Sequence, residues 1–579
     1  MRSAELLASI QAKEKAYDAD VKLVRVPMTK TYHTALKPER HPFAYELYVA
    51  TCYAFDLLQY GGEAYAKRAS DILEVVVARQ DQDPSRSTYG IWPYFDEESL
   101  DEMDRPDWNM ADFHGKKLVL ILKNHAELLP PSLIDKLRGA VYHACQAIII
   151  RHVGPHYTNI AIMGALVTLL GGELLGQEGI RSYGEQRLRT FRDYTKAIGT
   201  FSEYNSPCYT PIAIEELHGI YADSGTAGAV ADAEELLDLA WHMIARHYHP
   251  ATGAWSGPHS RTYSTQLRPN EKAFLENALG HEPEYEPGQE SGLKPEPGPI
   301  RCPDKYRYLF SSTEERYFTE PTLKADETGF QNYATTYQNE RLSLGSYSSG
   351  SMWNQRRNLL GYVDSGGGNA VSIQLQFLKD GRDFCSAIFT GVQSRGLVLF
   401  AFNLATDNGG WHQDLDILNG RFRAKDLRIR LLLGGNAANV ELPITQAGTR
   451  FVTAIGGTTM QVEAVLDCSD YGELQLQTER SEEGISLDYV ISTGEERDFD
   501  FHALEQAVWI FTLSLGEDRP LPAIDIQSDE SWLTASVQTD DGLAAITVPQ
   551  KPRKTGELYR ENKVQLPSAL LGKSRAKWV

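Results

Sequence analysis

The sequence predicts two different folds in succession: an all-helical first half built as a closed array of unequal hairpins, then an antiparallel β-sandwich. Three observations carry that reading. From residue 1 to about 280, apolar residues recur at i, i+3, i+4 and i+7, the period of a helix with one buried stripe. Residues 281–300, HEPEYEPGQESGLKPEPGPI, are too rich in proline and glycine to continue a helix or a central strand. Beyond them the apolar period falls to two, with GG, DG, NG and SGGG turns between the runs. The expected division is therefore 1–280 helical, 281–304 linker and 305–579 β-sandwich.

The elements follow in order. The first twenty residues read as a polar amphipathic helix without the continuous apolar core of a secretory signal, which makes cytoplasmic residence the default reading. Helices are expected at 43–59, 63–79, 110–128, 131–151, 156–176, 183–197 and 228–248, joined by short Gly, Pro and Asp turns. No fixed-period repeat is present, which favours a closed array over a regular solenoid. Strands are expected at 370–377, 395–403, 427–433, 459–466, 472–478 and 505–514, with no helical insert among them. The basic, turn-rich segment from 549 to 579 reads as a surface strap or a solvated tail.

Composition narrows the function. The 579 residues amount to about four ordinary domain lengths of ~150 residues, enough for sizeable cores. Lys plus Arg number 57 against 78 Asp plus Glu, a formal charge of −21 that repels phosphate backbones and argues against nucleic-acid binding. No stretch reaches the ~20 uninterrupted apolar residues of a membrane span, so no membrane partner is expected. The six cysteines are scattered without a C-x-x-C pair and read as reduced thiols. No tight Cys or His ligand spacing suggests a metal, and no P-loop, GxGxxG, GxSxG or HExxH motif suggests a cofactor or a common hydrolase.

Four polar and aromatic clusters remain. Residues 89–117 carry Trp92, Tyr94, Trp108, Asn109 and His114, rings that can stack on sugar faces or pack a long loop. Asn159 opens the otherwise apolar helix of 156–176, either as a functional amide or as one satisfied by backbone. Glu203, Tyr204, Asn205, Ser206 and Tyr209 precede a further helix in a loop stiffened by Pro207 and Pro211, a density of polar groups that favours a site over a plain cap. Residues 252–264 present Trp255, His259, Arg261 and Tyr263, of which Arg261 is the positive centre a carboxylated ligand needs, or an ordinary loop ion pair. In the second half, DNGGWHQDLDI sets Trp411 and His412 in a glycine-led loop that either projects into a cleft or lies on the surface. The run Tyr337, Arg341, Tyr347, Trp353, Gln355 and Arg356 is either site or packing.

Helices, linker and sandwich in this order, with YTNIAIMG followed fifty positions on by the Tyr209 that closes GTFSEYNSPCY, resemble the toroid polysaccharide lyases of the heparinase II/III and alginate-lyase kind. The chain departs from their Asp-Gly pattern in placing Ile198 before Gly199. The resemblance implies an (α/α) toroid and β-elimination at a uronic acid of an acidic polysaccharide or oligosaccharide. Asn159 would neutralise the carboxylate, and Tyr209 would move the proton with its pKa lowered by Arg261 and His259. His412 would complete the catalytic set. Trp92, Tyr204, Asn205, Arg261, Tyr263 and Trp411 would bind substrate. Two other readings stay open: a toroid glycoside hydrolase using Glu203 with Asp112 or Glu215, and a non-catalytic carbohydrate-binding protein. The uronic acid, the mode of attack and the oligomeric state are not legible.

Overall fold

The computed structural model describes residues 2–29, 33–281, 300–323, 331–413 and 415–571; most of the expected linker, 282–299, lies outside them. The chain groups into two compact units. The first comprises 1–194, 211–239 and 269–301, and the second 195–210, 240–268 and 302–579. Two stretches ahead of residue 280 thus group with the β-rich unit, and they are the ones that carry EYNSP and GPHSRTY.

Ten helices of eight residues or more run through the described first 280 residues: α1 Arg2–Glu14, α2 Leu47–Tyr60, α3 Glu63–Ala78, α4 Met110–His125, α5 Pro131–Arg151, α6 Thr158–Leu175, α7 Glu178–Ile198, α8 Tyr209–Asp223, α9 Ala227–His247 and α10 Pro269–Leu279. The expected helices are all present, and α10 is additional. The one over 43–59 starts late, because Phe43–Tyr45 pairs antiparallel with residues 25–27 instead. Aromatic and extended-chain preferences after Pro42 win there over helical spacing.

In the first unit α2 packs on α3, and α4, α5 and α6 pack on one another. Helix α6 is apolar around nearly its whole circumference and long enough by composition to cross a membrane, yet 83% of it is buried within the protein, so it is a core helix. The start of α7 approaches it closely because Gly172 bears no side chain: a Cβ there would lie 2.3 Å from the Arg181 nitrogen.

The second unit is antiparallel β. A nine-stranded sheet and a seven-stranded sheet share one core that includes Leu344, Ile373, Phe377, Phe389, Phe400, Trp509 and Phe511. All six expected strands fall in these sheets, and the alternation holds where one face meets that core. A third, four-stranded sheet, Ile524–Ser528, Trp532–Thr539, Gly542–Pro549 and Lys563–Gln565, covers the outer face of the seven-stranded one through Leu533, Ile546, Val548, Leu399 and Ile510. The segment after Pro549 is built in as far as residue 571: its short strand 563–565 joins that sheet, and Asn562 donates to Thr390 Oγ1 (2.7 Å). Residues 572–579 of the expected strap lie outside the described residues.

Candidate functional site

The two early motifs meet in the second unit around a buried polar node. Asn205 sits in the left-handed region (φ 48°), which an Asn tolerates better than most side chains. Its amide donates to the Ser256 and Pro258 carbonyls (2.7 and 3.0 Å) and accepts from Trp255 Nε1 (2.5 Å). His259 Nδ1 lies 2.6 Å from the Asn205 carbonyl, and Ser260 N–H donates to the Tyr204 carbonyl (3.1 Å). Residue 259 also forms an antiparallel bridge with Arg357. Beneath it the Tyr204 hydroxyl donates to Glu320 Oε2 (2.7 Å) and lies 2.9 Å from His247 Nε2, while Arg246 holds the other Glu320 oxygen at 2.8 Å.

Tyr204, Asn205 and His259 are out of reach of a ligand, which corrects three expectations. Tyr204 and Asn205 are fully buried, Tyr204 bonded to Glu320 and His247 and Asn205 to backbone carbonyls, so neither faces a substrate. His259 is 1% exposed, and burial pushes its pKa down to about 3, so it is neutral and cannot supply the positive charge expected beside Tyr209. A fourth correction concerns Trp92 of the first unit. It is wholly buried, stacked on His114 at 4.6 Å with its N–H donated to the Val76 carbonyl, and it packs the core.

On the node stands a second, more open cluster centred on Arg261. Its Nη1 pairs with Glu203 (2.8 Å), Nη2 donates to the Tyr209 hydroxyl (2.8 Å) and Nε donates to Gln355 (3.1 Å). The guanidinium also lies over the Tyr209 ring at 4.2 Å and faces Trp353 at 5.4 Å. The Tyr209 hydroxyl is 2.7 Å from that of Tyr263, which is half exposed. His412 meets Trp353 edge to face at 5.7 Å, in a loop held shut by Asp416, whose carboxylate accepts the Trp411 and His412 N–H groups. Trp411 is exposed. Tyr209, Arg261, Tyr263, Trp411 and His412 are thus brought into one region of the second unit. Asn159, buried at the start of α6, belongs to the first unit.

The electrostatics reverse one expectation. Burial raises the Tyr209 pKa well above the usual phenol range; Arg261 pulls the other way but is outweighed by desolvation, to which the neighbouring Tyr263 hydroxyl adds. Tyr209 therefore holds its proton at rest. The carboxylates of the hydrolase reading are paired or buried: Glu203 is paired with Arg261, Glu215 pairs with Lys116 in the first unit, and Asp112 is a buried first-unit acid raised to about 7 by desolvation. Sequence reasoning named neither Glu320 nor His247 and Arg246. They lie 42 to 116 residues from Tyr204 and carry no local motif.

A family model described as a domain of unknown function (DUF8769) matches residues 6–275. No curated protein matches the chain. Among solved structures it is similar to heparinase III, at 10% identity and a TM-score of 0.47 over 94% of this chain and 90% of that one. It is also similar to the Streptomyces coelicolor A3 chondroitin AC lyase in complex with chondroitin sulphate, at 10% identity and 0.48 over 94% and 85%. A third is the heparan sulfate lyase HepC from Pedobacter heparinus, at 11% identity and 0.37 over 87% and 82%.

Proposed function

We propose that this chain cleaves uronate-containing glycans by β-elimination, with Tyr209 as the proton donor to the leaving group. The observation that carries the reading is the Tyr209 hydroxyl itself, kept protonated by burial yet held 2.8 Å from a guanidinium that can stabilise the phenolate once the proton has gone. In the step, a base removes the proton on C5 of the uronate, that electron pair forms the C4–C5 double bond, the C4–O4 bond breaks, and O4 takes the Tyr209 proton. Arg261 then carries the phenolate until it is reprotonated, and the neighbouring Tyr263 hydroxyl offers a route from solvent. His412 is the imidazole available as the C5 base, and the exposed rings of Tyr263 and Trp411 offer faces on which sugars stack. The reading rests on the second unit alone.

The test is an ultraviolet screen for the conjugated uronate product over alginate, glucuronan, heparan-type, hyaluronan and pectic substrates and their oligomers. Tyr209→Phe should lower turnover at least ~100-fold with little change in KM, as expected for a group acting mainly in the transition state. Full activity in Tyr209→Phe would defeat the assignment, and reducing sugar released without the conjugated chromophore would mean hydrolysis.

A further inference from the structure

Members of the Arg261 cluster have sequence neighbours that line a different cleft of about 210 Å³ in the second unit. Ser202 stands beside Glu203, Ser260 beside Arg261, Arg356 beside Gln355 and Gln413 beside His412. Tyr347 and Ser349 complete the lining used here.

The chemistry of this lining is unbalanced. Ser349 and Tyr347 are 6% and 3% exposed, yet Ser349 Oγ and the Tyr347 hydroxyl have no hydrogen-bond partner. Ser260 Oγ lies close enough to influence the Tyr347 phenol, but neither oxygen has an aligned partner. A buried hydroxyl without a partner is costly unless something satisfies it. The Arg356 guanidinium, among the described residues, is paired with no carboxylate. Gly350 leaves it room: a Cβ there would lie 3.2 Å from Arg356 Nη1. Hydroxyl donors around an unpaired, forked cation match the oxygens of a carboxylate or sulfate. The volume is below the ~300 Å³ at which pockets for drug-sized ligands begin, which suits one sugar ring rather than a chain.

We propose that this cleft binds a single sugar ring bearing an oxyanion, carboxylate or sulfate, with Arg356 on the charge and the Ser349, Tyr347 and Ser260 hydroxyls on its oxygens. The inference rests on the lyase reading only in making that ring a neighbour of the one that reacts.

Calorimetric titration of the full chain with glucuronate, glucosamine 6-sulfate, glucose and inorganic sulfate tests it without turnover. At least one charged sugar should bind ~10-fold or more tightly than glucose, the effect of one charge-assisted hydrogen bond. Whichever charged sugar binds identifies the oxyanion. Arg356→Gln should erase the preference, Ser349→Ala should weaken it, and Tyr209→Phe should leave it intact. Equal binding of glucose, or a preference that survives both cleft substitutions, overturns the proposal. Charged-sugar preference in a chain that cleaves no glycan would uphold the cleft and defeat the lyase reading. Cleavage without the preference would do the reverse.

Discussion

Replacing Asn205 with Ala removes the side chain that ties the loop before α8 to the loop holding Arg261. Three buried hydrogen bonds are lost, to Ser256, Pro258 and Trp255, and each leaves a partner enclosed by protein. At a net ~1 kcal/mol per bond the loss is about 3 kcal/mol, and an Ala held at φ 48° adds roughly 1 kcal/mol of backbone strain. With a urea slope of ~3 kcal/mol per molar, the unfolding midpoint should fall by somewhat more than ~1 M. Intrinsic tryptophan fluorescence reads it, since Trp255 is buried in the node. Asn205→Gly separates the two contributions: glycine adopts positive φ freely and should be less damaging than Ala by about 1 kcal/mol. A midpoint shift under ~0.3 M for Ala would mean that water or a rearranged loop satisfies the orphaned groups and that the node does not hold the site. Equal effects of Ala and Gly would remove the backbone argument while leaving the bonds.

Tyr204→Phe should act on stability, costing about 1–3 kcal/mol by leaving Glu320 and His247 short of a partner, and a variant as stable as the parent in urea would contradict the buried network. Burial holds His259 neutral down to about 3 and His247 down to about 4, whereas the unfolded chain protonates both near 6.5. Their contribution is therefore complete above pH 6.5 and is lost as pH falls toward those values, by up to ~1.4 kcal/mol per pH unit for each imidazole; a His259→Gln variant whose urea midpoint falls as steeply as the parent's between pH 6.5 and 4.5 would refute it. Gly345→Ala should destabilise the second unit severely, because its Cβ would lie 1.9 Å from the Gly257 carbonyl oxygen, and a soluble variant with an unchanged melting temperature would refute that close approach.

The period of the apolar residues made both halves of the fold legible, because a helix stripe and a strand face are local patterns that burial enforces. The small sheet at Tyr17–Asp18, Leu23–Pro27 and Phe43–Tyr45 was not legible, since its pairing joins short segments whose spacing also suits a helix. In the candidate site, the segments were readable and the roles were not. EYNSP and GPHSRTY were singled out together, and they do interlock. Tyr204, Asn205 and His259 point inward to buried partners while Glu203, Tyr209 and Arg261 form the open cluster, a difference decided by which side of each loop is covered. The direction of the Tyr209 shift likewise depends on how deeply the ring is enclosed and on the Tyr263 hydroxyl beside it, neither of which a sequence displays.

The allotment of 195–210 and 240–268 to the β-rich unit bears on how this protein can be taken apart or recombined. A cut at residue 280 would not yield two modules. It would sever Glu203, Tyr209 and Arg261 from Gln355 and Trp353, leaving each fragment with half of a hydrogen-bonded cluster. A chimera that exchanges the β-rich part with that of another protein must carry both early loops along with it. Insertions that respect modularity belong within the first unit's own loops, while 195–210 and 240–268 are outlying pieces of a module whose bulk begins only at residue 302.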